Sequence, residues 1–394
     1  MTTHTYKAEA LALHEQYAGK IEVASKIEVN SEEDLSVVYT PGVSEVCKAI
    51  AADETKVNKL TSRGKMIGVV TDGTAVLGLG NIGPKAALPV MEGNSILFKS
   101  FAGLDAFPIC LDTTNTEEII AMVKALQPNF AGINLEDIAA PRCFEIEARL
   151  KEELDIPVFH DDQHGTAIVV LAALLNASKV VKKQHDDLKI VINGAGSAGI
   201  AIARLLLAAG YNNISLVSLE GVVCEGADWM NPAQQNIATQ TNSAHIQGDL
   251  NDVIVHADVF IGVSGPNALS SAHIATMNEN PIIFALANPV PEIYPEDARS
   301  AGATVIGTGR SDYPNQINNL LAFPGIFKGI LQAQKKDITM AAKVAAAHAI
   351  AEVIAPLELT ADYVIPSALN PNVVDAVADA VEAAVTEDQA VTMN

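Results

Sequence analysis

Aromatic residues are scarce in this 394-residue chain, at 5%, although hydrophobic residues as a whole reach 49%. A core of small aliphatic side chains fits an α/β protein, in which buried strands are short aliphatic runs. Cysteine is scarcer: Cys47, Cys110, Cys143 and Cys224 lie far apart and form no CxxC pair. That argues against a disulfide framework and for buried thiols in a reducing compartment. Basic residues are also few, 25 Lys and Arg against 47 Asp and Glu, for a net charge of -22. Such a surface repels phosphate backbones and anionic lipid, so no nucleic acid and no membrane partner is expected. It equally repels a small anionic substrate, whose site then needs local cations or a metal. The first twenty residues contain no apolar leader. The longest apolar stretch, Ala167–Val181, is broken by Asn176, Ser178 and Lys179 and reads as too short and too polar to cross a bilayer. A soluble, cytoplasmic protein is the expectation.

What is present is an alternation of strand-length aliphatic runs with helical stretches. Met66–Val70, Phe107–Leu111, Phe130–Asn134 and Pro157–His160 read as strands, with helices at Thr116–Gln127 and Pro141–Leu154 between them. A long helix is expected from Gly165 to about Val181. A second βα series follows at Leu188–Asn193, Ile214–Val217, Asp258–Val263, Pro281–Leu286 and Thr304–Gly307, then helices at Met340–Ala355 and Val373–Val385. The pattern predicts two α/β domains with mostly parallel sheets, residues 1–161 and 162–394.

The motif G-x-G-x-x-G occurs twice, at Gly78, Gly80 and Gly83 and again at Gly194-Ala195-Gly196-Ser197-Ala198-Gly199. The second follows the run LKIVIN and opens the run AGIAIARLLLAAG, the strand–turn–helix setting in which backbone N–H groups meet a pyrophosphate. The first runs into Pro84 and Lys85, a poorer start for a packed helix, and reads as a tight turn shaping a pocket. After the strand that follows the second motif, Ser218 takes the ribose position and Glu220 is the nearest carboxylate. With no Lys or Arg nearby to meet a 2′-phosphate, NAD is favoured and NADP stays open.

Two carboxylate pairs end strands: Glu136 with Asp137, and Asp161 with Asp162. Either pair alone reads as a helix cap. Two pairs at carboxyl ends of parallel strands repel one another unless a hard cation neutralises them, and Mg²⁺ or Mn²⁺ suits such oxygen ligands. His160 and His164 flank the second pair and read as structural or supporting groups rather than ligands.

These residues sit in segments that together resemble the small bacterial malic enzymes. The segments are Tyr39-Thr-Pro-Gly-Val, Thr71-Asp-Gly-Thr-Ala-Val-Leu-Gly-Leu-Gly-Asn-Ile-Gly, Asn134-Leu-Glu-Asp-Ile, Phe159-His-Asp-Asp-Gln-His-Gly-Thr-Ala, Phe284-Ala-Leu-Ala-Asn-Pro and Asn318-Asn-Leu-Leu-Ala-Phe-Pro-Gly. The resemblance implies an N-terminal malic-enzyme domain packed on a Rossmann-type, doubly wound domain, a homodimer, and oxidative decarboxylation of malate to pyruvate. It implies Glu136, Asp137 and Asp162 as ligands of Mg²⁺ or Mn²⁺, with Asp161 beside them at the catalytic centre. It implies Tyr39 as the acid that protonates C3, and Asn288, Asn318 and Asn319 as amides near the substrate carboxylate and nicotinamide.

At one position the chain departs from the family's pattern in a way that touches chemistry. The family's general base is a lysine in a segment like Met-Glu-Gly-Lys, whereas this chain reads Met91-Glu-Gly-Asn94. Asparagine cannot take a proton near neutral pH. Either binding survives and chemistry slows by about 10²–10⁴-fold, or Asp161, Lys99 or metal-bound hydroxide takes the proton. Were Ser95–Lys99 a regular strand, Lys99 would face away from position 94. Bound NAD recycled to yield lactate, and a weakly catalytic dinucleotide- or malate-binding protein, are the competing readings.

Overall fold

The computed structural model describes residues 3–392, built around two sheets. The first comprises β1 (Met66–Thr71), β2 (Asp105–Cys110), β3 (Gly132–Leu135) and β4 (Val158–His160), all parallel in the order β2-β1-β3-β4. The second comprises β5 (Ile190–Asn193), β6 (Ile214–Ser218), β7 (Gly221–Val222), β8 (Val259–Gly262), β9 (Ile282–Ala285) and β10 (Val305–Thr308). Its order is β10-β9-β8-β5-β6-β7, parallel except for the short β7. Strand order reverses between β5 and β8, the arrangement that leaves a ligand crevice beyond the strands' carboxyl ends. The fold is the expected α/β architecture with a Rossmann-type second sheet.

The two sheets share one core. Phe98 and Phe159 from the first half meet Phe323 and Phe327 from the second, with ring centroids 4.7 Å (Phe98–Phe323), 5.3 Å (Phe98–Phe327) and 6.0 Å (Phe159–Phe327) apart. All four are at most 1% exposed. A chain with 10 Phe thus spends four at the junction, where each tilted or edge-on pair adds about 0.5–1.5 kcal/mol beyond area burial. The Asp161–Val181 helix runs straight out of β4 and packs in that core.

Three expectations need correction. The long helix starts at Asp161, not Gly165, because two acidic residues favour the positive end of a helix in its first turn. At 21 residues it is long and apolar enough to cross a membrane, so length and composition do not exclude a span; instead 72% of its apolar window is buried inside the protein. The strand condition posed for Ser95–Lys99 is not met: these residues are helical, the end of the Pro84–Leu97 helix running into a wider turn over Phe98–Ala102. That helix begins at Pro84 itself, since proline at the first helical position gives up no hydrogen bond.

Candidate active site

The carboxyl ends of β3 and β4 bring Glu136, Asp137 and Asp162 together, with one oxygen from each lying within 4.8 Å of the others. Neither acidic pair caps a helix. The Arg142–Glu153 helix begins after Pro141 without a side-chain cap, and His160 precedes the Asp161–Val181 helix without one. Asp162 Oδ2 instead accepts from the backbone N–H of Asp137 at 2.8 Å. Asp137 adopts φ +56°, a left-handed conformation that aspartate tolerates better than most residues. The loop after β1 holds it there: Ala75 N–H donates to the Asp137 carbonyl at 2.9 Å, and Ala139 N–H donates to Thr74 Oγ1. Asp72 Oδ2 accepts from Arg142 at 2.7 Å, tying that loop to the next helix.

Burial drives the electrostatics. Desolvation first, then the neighbouring Asp162, Asp161 and Asp137 charges, push Glu136 well above the usual carboxylate range. Desolvation, then Asp162 and Asp137, do the same to Asp161. Asp161 is fully buried; its Oδ2 accepts from Asn319 Nδ2 at 2.7 Å while Oδ1 has no partner. A side chain at Gly165 would overlap that free oxygen. No Lys or Arg is among the described residues lining the cleft. Three carboxylates with no local cation, beside a buried oxygen without a donor, are a donor set that fits a hard divalent ion.

The cleft, about 540 Å³, continues from these carboxylates to the second sheet and includes Asn94, Ser197, Ala198, Asn288, Asn318 and Asn319. The Gly194–Gly199 turn closes β5 onto the Ser197–Ala208 helix. Gly194 has φ +123°, and a side chain there would strike the Val263 carbonyl. Gly199 presses on the Gly194 carbonyl, whereas at Gly196 there is open space, the room a pyrophosphate needs. Ala195 is 6% exposed behind the turn. Ser218 Oγ donates to Glu220 Oε2 at 2.5 Å, which leaves a carboxylate just beyond the end of β6. The first glycine motif is no second dinucleotide turn: Gly78 lies against the Asn288 carbonyl and helps wall the cleft.

Asn94 lines the cleft, and its buried Nδ2 has no partner. Lys99 does not replace it, because its ammonium is exposed and paired with Asp105 at 2.6 Å. Asn318 Oδ1 accepts from Leu320 N–H and fixes the turn that carries Asn319. Tyr39 is not brought to the cleft; it ends the short Glu32–Val38 helix and is 66% exposed.

Glu292 and the partners of His164 escaped the sequence reading. Glu292, fully buried, accepts from Ser264 N–H and Ala287 N–H, each at 3.0 Å, and so ties together the loops after β8 and β9 that rim the cleft. Its only sequence signal is its place four residues after Asn288. His164 Nε2 lies 2.6 Å from Glu147 Oε1, and its Nδ1 lies 3.0 Å from the Lys343 ammonium. Burial alone would raise Glu147, but His164, Lys151 and Lys343 hold it well below its ordinary value. This chain anchors the first turn of the Asp161–Val181 helix from both sides, consistent with the supporting role expected of His164.

A carboxylate cluster and a dinucleotide turn facing each other across one cleft define a nicotinamide-linked oxidoreductase class. Two family models cover nearly the whole chain: malic enzyme, N-terminal domain, over residues 18–151, and malic enzyme, NAD binding domain, over residues 163–389. The chain is 56% identical over 382 residues to the bifunctional malic/malolactic enzyme of Bacillus subtilis, covering 97% of this chain and 93% of that one. It is 58% identical over 363 residues to the NAD-dependent malic enzyme of Geobacillus stearothermophilus, covering 92% and 76%. The crystal structure of an NAD-dependent malic enzyme from Thermotoga maritima superposes with a TM-score of 0.91 at 50% identity, covering 95% and 98%. This chain belongs to the malic enzyme family.

Proposed function

We propose that the chain oxidatively decarboxylates malate to pyruvate and CO₂ with reduction of NAD, using Mg²⁺ or Mn²⁺, at a rate limited by Asn94. The observation that carries this reading is the convergence of Glu136, Asp137 and Asp162 opposite the Gly194–Gly199 turn in one cleft. A divalent ion held by those three carboxylates supplies Lewis-acid polarisation of the substrate's C2 oxygen and offsets the negative charge left when CO₂ departs. The nicotinamide supplies the acceptor for the C2 hydride. The chain's own groups do the rest. Asn288, Asn318 and Asn319 offer amides to the substrate carboxylates, and Asn319 also fixes the Asp161 carboxylate. Asn94 donates a hydrogen bond but cannot accept the hydroxyl proton, which leaves Asp161 Oδ1 as the remaining base beside the metal carboxylates. NAD rather than NADP is favoured by Glu220 in the run Leu216–Gly221, which contains no Lys or Arg to meet a 2′-phosphate.

A homodimer belongs to the same proposal. Tyr6, Leu11, Tyr17, Val23, Leu35, Val37 and Tyr39 are each half exposed or more along one N-terminal arm, an apolar surface of the kind that marks an interface. Tyr39, remote from its own cleft, then protonates C3 in the cleft of a second copy. With four unpaired cysteines, two of them buried, the protein suits a reducing cytoplasm.

Absorbance at 340 nm with malate, Mn²⁺ and NAD, then NADP, tests the reading on the chain beside Asn94→Lys. The expected result is slow NAD reduction, raised about 10²–10⁴-fold by the variant. No turnover and no malate binding in either protein would sink the assignment. The bifunctional Bacillus relative favours a second reading, malolactic conversion, which is distinguished by lactate released without net NADH.

A further inference from the structure

On the far side of the first sheet from the active cleft, at the amino ends of β3 and β4, lies a second and larger cleft of about 1410 Å³. Its floor is Ala131 before β3 and Asp155, Ile156 and Pro157 before β4. Its walls carry Lys59, Arg63, Lys335 and Lys336, with Asp155 and Asp337 the acidic residues among its lining. In a chain with 47 acidic and 25 basic residues, a concavity with an excess of cations is the reverse of what composition dictates.

Lys336 and Arg63 are held by neutral groups. Lys336 Nζ donates to the carbonyls of Leu154 at 2.9 Å and Lys151 at 3.4 Å, which leaves its third proton free for another acceptor. Arg63 Nε donates to the Pro128 carbonyl at 3.1 Å, and Nη1 donates to Asn58. None of Lys59, Arg63 and Lys336 has a carboxylate partner among the described residues. Backbone carbonyls orient such groups without cancelling their charge. Thr339, on the same rim, caps the Met340–Glu352 helix, whose first turn holds no acidic residue, so the helix's positive end adds to the cleft's cations, with Asp337 beside it.

We propose that this cleft binds a phosphate-bearing, multiply charged metabolite, its oxyanion on Lys59, Arg63 and Lys336 and its uncharged body against Ile156, Pro157 and Leu331. A guanidinium and two point-charge ammoniums spread over a wide concavity match a polyanion better than a single carboxylate. The position gives occupancy a short route to the chemistry. From Ala131 to Glu136 and from Ile156 to Asp161 is five residues each, roughly 16 Å of strand. Lys336 also fastens the end of the helix that carries Glu147, the partner of His164.

Binding is read without turnover, so the proposal stands or falls apart from the reaction above. Inorganic pyrophosphate is titrated calorimetrically into metal-free protein saturated with NAD, which blocks the glycine turn. The unmodified chain binds one pyrophosphate, more weakly as salt rises. Lys59→Gln with Arg63→Gln weakens binding at least about tenfold, while Lys48→Gln with Lys56→Gln, which alter lysines already paired with Glu45 and Asp53, leaves it unchanged. If losing the Arg63 bond to Pro128 lowers the melting temperature, Lys59→Gln alone serves, with a smaller loss in the same direction. Equal binding by the cleft variants and the unmodified chain, or no binding by the latter, overturns the proposal.

Discussion

The two sheets address their shared cleft by opposite means. β3 and β4 send charged side chains into it, three carboxylates whose oxygens converge within 4.8 Å. β5 sends in almost no side chain: its contribution is the backbone of Gly194, Gly196 and Gly199 and the vacant space at Gly196. The difference matches the two ligands proposed for the cleft. A hard cation is recognised by oxygen atoms and charge, which side chains supply one at a time. A pyrophosphate is recognised by N–H groups and proximity, which a side chain only obstructs. The first half of the site can therefore be dismantled by deletion, the second only by addition.

The largest expected effect comes from deletion on the first sheet. Asp162→Ala removes a proposed metal ligand and the acceptor for Asp137 N–H. Its kcat/KM falls by about 10³-fold or more, several kcal/mol of lost charge stabilisation. Mn²⁺ no longer raises its melting temperature. Retained Mn²⁺ protection would break the comparison at its root. Addition on the second sheet comes next. Gly196→Val places its methyls in open space, so the melting temperature holds while KM for NAD rises about tenfold or more, the worth of 1.4 kcal/mol of lost binding. Unaltered NAD affinity would mean the pyrophosphate lies elsewhere.

The smallest effect concerns the brace behind the carboxylates. Burial, then Lys151 nearby, lowers Lys343 to about 7, with Glu147 opposing and Arg204 adding to the fall. Between about pH 7 and its ordinary value of 10.5, the unfolded chain holds a proton that the folded one lacks. Lys343 therefore adds a stability increment that grows as pH rises through that window. For Lys343→Met the increment is gone. The melting temperature of the unmodified chain minus that of the variant climbs from pH 7 to 9 and levels off only below about pH 6; a difference flat throughout refutes the assignment.

How much of this was legible in the sequence differs along the same divide. The Gly194–Gly199 turn was readable because strand, turn and helix are contiguous, and each glycine has a local reason to be there. The carboxylates were readable as two pairs at strand ends, because a parallel sheet brings carboxyl ends to one side whatever the loops do. Residues 95–99 stay open between strand and helix in the sequence because Ile96, Leu97 and Phe98 form an apolar run that suits either, and only packing of Met91, Ser95 and Phe98 into the core selects the helix. Glu292 and the Glu147–His164–Lys343 chain were invisible for another reason. Their partners are backbone N–H groups or side chains 17 to 179 residues away, and nothing local marks them.

Gly165 gives the site a cost that shows up away from catalysis. Glycine inside a helix forfeits about 1 kcal/mol relative to alanine, and here it sits one turn from the start of the longest helix among the described residues. The obvious remedy is closed, since the volume a methyl would fill is already taken by the free oxygen of Asp161. Selection for a sturdier fold and selection for an intact carboxylate cluster thus pull position 165 in opposite directions. The helix that joins the two sheets keeps a weak first turn as the condition for having a site at all.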